Sequence, residues 1–358
     1  MNIRTALVVV SCALSVIIGL VVARGGSTGD GPGGGSGRRK PLVGLSLDTL
    51  KEARWQADRD LFVARCNALG ADVKVVEANS DDTRQMSDVD GLITNGVDVI
   101  VIVPHNGIAM AAAVAKAHQA GIPVIAYDRL IRDCDLDLYV SFDNLRVGEL
   151  QAQYLVEKLP KGRIVRIYGS KTDNNAFLFK QGQDNVLKPY IDRGDIKVIH
   201  QDWAEDWKPE NGKRIAQAAL TAHPQGFDAI LASNDGVAGG AIQALVEEKL
   251  AGKVLVTGQD AELVACQRIV AGTQAMTVYK PLKMLANRAA ELAVQMAKGK
   301  PIIANTSTNN GKIEVPTIAE AIYSATKDNM MDTVVKDGFH PYDAVYSEVP
   351  QDKRPPKP

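Results

Sequence analysis

The chain has 358 residues, 46% apolar and 23% charged, which is long enough for two domains with full cores and too apolar for a disordered protein. Its 41 Lys and Arg against 42 Asp and Glu leave a net charge of −1, excluding a global basic field for nucleic acid and acidic self-repulsion. Four cysteines without CxxC spacing and five histidines without HxxxH or HExxH spacing give no support to a metal or redox centre. In chain order, Thr5–Ala23 is almost wholly apolar behind Arg4, the layout of an export signal covering residues 1–23 with Val21-Val22-Ala23 as a cleavage site. An uncleaved membrane anchor and lipid attachment at Cys12, in Val9-Val10-Ser11-Cys12, are the alternatives. All three place the rest of the chain outside the cytoplasm. Residues 24–40 form a Gly-rich tether ending in Arg38-Arg39-Lys40. Its Gly29-x-Gly31-x-x-Gly34 matches a dinucleotide fingerprint in letters only, since no strand pattern precedes it and no helix pattern follows.

Beyond the tether, short β-branched runs alternate with amphipathic stretches. Leu42–Leu47, Val73–Glu77, Val97–Val103 and Pro123–Tyr127 read as strands, with helices near 51–69, 82–95 and 107–120. Gly70 and Gly121 stand where helix C-caps are wanted. The strand runs lack polar alternation, as expected of a parallel sheet covered on both faces. A second series follows at Arg163–Tyr168, Lys197–Gln201, Phe227–Ala232 and Lys253–Thr257, and residues 347–358 read as a solvated tail. Cys66 and Cys266 lie in apolar helical patterns and read as buried small hydrophobes. The two series repeat one unit: the path from Gly96 through Asn106-Gly107 to Ala126-Tyr127-Asp128 parallels that from Gly226 through Asn234-Asp235-Gly236 to Gly258-Gln259-Asp260. A repeat of roughly 130 residues is too long for a solenoid and points to two similar α/β lobes.

Ligands of open parallel sheets bind beyond the carboxyl ends of the strands. There this sequence concentrates short polar side chains: Ser46-Leu47-Asp48, Pro104-His105-Asn106, Asp128-Arg129, Asp173-Asn174-Asn175, Ser233-Asn234-Asp235 and Gln259-Asp260, with Lys280 after Thr277-Val278-Tyr279. Helix capping competes as an explanation of Asn106, Asp173 and Asp235. Together the Asp, Asn, Arg and Lys side chains offer bidentate donors and acceptors suited to a ligand covered in hydroxyls. The aromatics are scarce at 5%, so each tryptophan calls for its own reason. Trp55 follows Arg54, and Trp203 and Trp207 occupy a segment too polar for a core, where a flat indole can take the C–H face of a sugar ring. An acid and base pair such as Asp128 and Asp260 is disfavoured, because Arg129 and Lys280 favour ionised carboxylates. Gly-x-Ser-x-Gly is absent, and Gly169-Ser170-Lys171-Thr172 lacks the upstream glycine of a phosphate loop, so an enzyme is not expected.

Trp55-Gln56-x-Asp58-Arg59-Asp60, Ala126-Tyr127-Asp128-Arg129, Ser141-Phe142-Asp143-Asn144, Asp173-Asn174-Asn175-Ala176, Ala232-Ser233-Asn234-Asp235, Gly258-Gln259-Asp260-Ala261 and Met276-Thr277-Val278-Tyr279-Lys280-Pro281 strongly resemble the D-xylose-binding group of the ribose-binding-like, type I periplasmic binding proteins, sugar-binding components of ABC importers. The resemblance covers about residues 41 to 345. It implies two Rossmann-like lobes with parallel sheets joined by a three-crossing hinge: residues 41–145 plus 281–309, and 146–280 plus 310–346. It also implies a pocket built from Arg54, Asp128, Arg129, Asp173, Asn175, Asn234, Asp260 and Lys280, with Trp207 and either Trp203 or Trp55 as the stacking surface. His105 stands where an aromatic such as Tyr is expected. The implied function is capture of D-xylose, or a related monosaccharide, between closing lobes, without cofactor or metal, and delivery by a monomer to an ABC importer permease. Presentation of the sugar to a membrane receptor or kinase is the alternative. Repressors with the same lobe pair carry an N-terminal helix-turn-helix, whereas this chain has an apolar segment and a tether there.

Overall fold

The run Leu-Val-Gly-Leu-Ser-Leu has no polar alternation, and as strand β1 (Leu42–Leu47) it lies almost wholly buried in the middle of a parallel sheet. The computed structural model describes residues 39–357. The expected export segment, Cys12 and the tether up to residue 38 lie outside the described residues. After β1 come α1 (Ala53–Ala68), β2 (Asp72–Glu77), α2 (Asp82–Thr94), β3 (Val99–Ile102), α3 (Ala111–Gln119), β4 (Val124–Tyr127) and β5 (Leu138–Phe142). With β11 (Thr306–Asn309) and β12 (Glu314–Glu320) they make a seven-stranded sheet ordered β11-β12-β5-β4-β3-β1-β2, in which only β11 runs antiparallel to its neighbour. Successive side chains of β3 point to opposite faces, so Val99 and Val101 pack under α1 and α9 (Leu282–Ala297), while Ile100 and Ile102 pack under α2 and α3.

The chain then leaves this sheet for a second one. Strands β6 (Gly162–Tyr168), β7 (Ile196–Trp203), β8 (Ala229–Ala232) and β9 (Leu255–Val256) pair in parallel in the order β7-β6-β8-β9. They are flanked by α4 (Asn144–Lys158), α5 (Asn174–Asp192), α6 (Pro209–Ala222) and α7 (Asp235–Glu247). After α8 (Leu263–Ala271), strand β10 (Met276–Tyr279) joins the second unit through a parallel bridge from Gln259 to Val278, and pairs antiparallel with β13 (Tyr323–Thr326). The chain passes between the two units three times: from β5 to α4, from β10 to α9, and from β12 to β13. Cys66 and Cys266 are buried free thiols in the two cores.

Two boundaries differ from those expected. The second lobe is expected to take the chain from residue 310, but β12 pairs Thr317–Glu320 with Tyr139–Phe142 of the first sheet, so the last passage comes after Glu320. The Asn310 amide holds the preceding turn there by donating to the carbonyls of Ile131 at 3.2 Å and Cys134 at 2.8 Å. The end of the chain is not simply a solvated tail. The Tyr342 hydroxyl, on α10 (Tyr342–Val345), donates to the carbonyl of Pro355, and Arg354 Nε donates to that of Val349, folding residues 347–357 back on the second unit.

Candidate binding site

The carboxyl ends of the parallel strands from both units open on one cavity of about 390 Å³, within the ~300–1,000 Å³ range of small-molecule sites. Of the sequence-predicted site residues it gathers Arg54, Trp55, Asp128, Arg129, Asp173 and Asn175. Trp207, Asn234, Asp260 and Lys280 line it as well. Trp203 does not line it: alternation along β7 places that indole against Tyr168 and the exposed Phe177, 4.9 and 4.8 Å between ring centres.

Two charge clusters face the cavity. In the first, Arg54 from α1 bonds Asp128 after β4 and, at 3.0 Å, Asp260 after β9, and Lys280 after β10 lies 2.9 Å from Asp260 and 4.0 Å from Asp128. Asp128 and Asp260 are the equivalent residues of the sequence repeat, and both hold left-handed backbone conformations, φ 62° and 97°. Such angles are costly for a residue with a Cβ and cluster at functional sites. Burial opposes ionisation of Asp128, but Arg54 and Lys280 outweigh it and hold its carboxyl below the usual range.

The second cluster centres on Arg129, whose guanidinium lies 2.7 Å from Asp48 after β1 and 3.1 Å from Asp173, the N-cap of α5. His105 approaches Asp48 at 2.9 Å; against the opposing effect of burial, Arg129 and His105 bring the Asp48 carboxyl down to about 2. The histidine thus acts as a polar edge of the site where an aromatic was expected. Asp173 serves both as cap and as site residue, accepting from the Asn175 backbone N–H at 2.9 Å and from Trp207 Nε1 at 3.2 Å. Asn175 in turn donates to the Asp128 carbonyl at 3.0 Å, tying the two clusters together.

The walls are indoles. Trp55 is buried, with the Arg54 guanidinium 4.4 Å and that of Arg129 5.1 Å from its ring centre. Trp207 follows Asp206, and both have positive φ, 52° and 58°, which turns this indole into the cavity over Gly169. A Cβ at residue 169 would stand 1.9 Å from the Trp207 ring, so glycine is required for that approach. Asn234 lines the cavity while its side chain caps α7, accepting from Val237 N–H at 2.9 Å. Asn106 and Asp235 resolve as structural: Asn106 caps its own turn, and Asp235, fully buried, accepts from Gln274, Thr277 and the Glu262 backbone.

Two further side chains line the cavity: Gln259, named at its strand end but not among the expected pocket residues, with a buried Oε1 lacking a partner in the protein, and Glu262, whose carboxyl burial and the nearby Asp260 push up to about 7. The signal for Gln259 was its place beside Asp260 at a strand end. Among the described residues there is no cluster of His, Cys, Asp and Glu suited to a metal ion. What the arrangement offers is fixed acceptors (Asp48, Asp128, Asp260), fixed donors (Arg54, Arg129, Lys280) and two flat apolar walls, the chemistry of an uncharged polyhydroxyl ring.

The family described as periplasmic binding protein domain matches residues 43–301. The D-xylose-binding periplasmic protein of Escherichia coli is 51% identical over 298 residues, 83% of this chain and 90% of that protein. The protein of the same name from Haemophilus influenzae is 48% identical, over 85% of this chain and 92% of its own. A carbohydrate transporter solute binding protein from Chloroflexus aurantiacus, solved in complex with D-glucose, superposes with a TM-score of 0.80 at 33% identity, covering 86% of this chain and 98% of that one.

Proposed function

Because this chain belongs to the periplasmic binding protein domain family, we propose that it captures D-xylose outside the cytoplasm and delivers it to the membrane permease of an ABC importer. The observation that carries the reading is the meeting of Arg54, Asp128, Arg129, Asp173, Asn175, Asp260 and Lys280, drawn from both sheet units, around a cavity walled by Trp55 and Trp207. The two relatives near half identity share the printed name of D-xylose-binding proteins. Among the described residues no helix is long and apolar enough to cross a membrane.

Capture follows from the placement of the contacts. The first lobe, residues 41–143 with 282–320, supplies Arg54, Asp128, Arg129 and Trp55, and the remainder supplies Asp173, Trp207, Asp260 and Lys280. A sugar held by both sets binds the closed arrangement more tightly than an open one and shifts the population toward closure. Calorimetric titration with xylose, arabinose, ribose, glucose and galactose tests the assignment. Saturable heat is expected with xylose and weaker or no binding with the others; saturation by another sugar alone overturns the xylose assignment and leaves sugar capture standing.

A further inference from the structure

We propose that Asp58 is a positioning residue for sugar binding: its carboxylate, itself fixed by the Tyr127 hydroxyl, sets the plane of the Arg54 guanidinium so that Arg54 spans Asp128 and Asp260. This rests on the sugar-binding reading above and assigns a role to a side chain that does not line the cavity.

Asp58 stands one turn after Arg54 on α1 and is 1% exposed. Its Oδ2 accepts from Arg54 Nε at 3.3 Å, and its Oδ1 accepts from Tyr127, the last residue of β4 and the one before Asp128. Each nitrogen of the guanidinium thus has its own carboxylate: Asp58 on Nε, Asp260 on Nη1, Asp128 on Nη2. The Trp55 ring, 4.4 Å away, covers one face. An arginine held at only its two terminal nitrogens keeps freedom about its long stem, and ordering it on binding is costly. With Nε also fixed, that freedom is lost before the ligand arrives. Arg54 and Lys280 together face three carboxylates, one more than charge balance asks, and Asp58 is the one that does not line the cavity.

The charge on Asp58 is conditional. Burial pushes its carboxyl up to about 6, with Arg54 and Tyr127 pulling it down and Asp128 pushing it up. Above that pH the bond to Nε is charge-assisted; below it the neutral acid holds Nε more weakly. Affinity therefore falls as pH drops through about 6. Glu262, pushed up to about 7 by burial and Asp260, and His105, raised by its hydrogen bond to Asp48, also line the cavity but are unchanged in the variants below, so the comparison is between profiles.

The test is xylose titration of the purified chain from pH 5 to 8, for the unaltered protein, Asp58→Asn and Tyr127→Phe, with the other sugars as controls. Asp58→Asn is expected to bind about tenfold or more weakly at pH 7.5, from loss of a charge-assisted hydrogen bond, and to lose the component of the profile near pH 6. Tyr127→Phe removes a hydrogen bond that favours the anion, so that component moves to higher pH. A merely structural role leaves the midpoint where it was, and an unmoved midpoint in Tyr127→Phe overturns the proposal even if Asp58→Asn fails to fold. Unchanged affinity in Asp58→Asn overturns it alone, whereas absence of binding by the unaltered protein to every sugar overturns the sugar reading together with it.

Discussion

Asp128 and Asp260 reach Arg54 from equivalent strand ends, and each departs from ordinary backbone geometry to do so. Removing the Asp260 carboxylate leaves Arg54 Nη1 and Lys280 Nζ without the acceptor they hold at 3.0 and 2.9 Å. Asp260→Ala is therefore expected to weaken sugar binding by at least about 2 kcal/mol, the cost of unpaired buried partners, as read by calorimetry. Unchanged affinity would remove Asp260 from the site. The polar composition of this residue set was legible in the sequence, because Asp, Asn, Arg and Lys recur at strand ends in both halves, beyond what helix capping alone explains. Which tryptophan walls the cavity was not. Trp203 and Trp207 share one polar segment, and only strand alternation for the first and the positive φ of Asp206 and Trp207 for the second separate them.

At the scale of elements, α4 does more than carry the chain from one sheet to the other. Its Gln151 is fully buried and donates to the carbonyls of Ala232, Ser233 and Gly258 at 3.3, 3.1 and 3.0 Å. Those carbonyls lie in the loops that present Asn234 and Asp260, so one amide braces two strand ends of the site. Gln183 of α5 donates to the Gln151 oxygen at 2.9 Å, and Arg166 of β6 donates to the Gln183 oxygen at 3.0 Å. Gln151→Leu is expected to cost about 1–3 kcal/mol of stability, since it strands buried acceptors. Urea unfolding monitored by the tryptophans measures this, and an unchanged midpoint at constant slope would contradict it. The central strands were readable from short apolar runs without polar alternation. β11 was not, because Thr-Ser-Thr-Asn at the sheet edge has the composition of a loop, and it is a strand only by pairing with β12.

Across the whole molecule, Arg54 to Asp260, Arg129 to Asp173 and Lys280 to Asp128 join the two sheet units directly across the cavity. A sugar that inserts among these groups adds contacts to both units at once. Binding the folded chain and not the unfolded one stabilises it by about 2.7 kcal/mol at a free sugar concentration one hundred times Kd. The thermal midpoint is expected to rise steadily with xylose, and a midpoint independent of xylose would count against binding to the folded state. Charge neutrality of the chain suits this work, since an uncharged ligand needs local dipoles and ion pairs rather than a long-range field.

The sequence by itself determined the two α/β units, their internal repeat and the polar character of the strand ends. These follow from local periodicity and from residue types that have few alternatives. Tertiary structure decided which side chains face one another, where the chain last changes sheets, which indole enters the cavity, and that Tyr127 fixes Asp58 behind Arg54. Those outcomes depend on register and on contacts between residues far apart in sequence, such as Arg54 and Asp260 at 206 positions, and no local pattern encodes them.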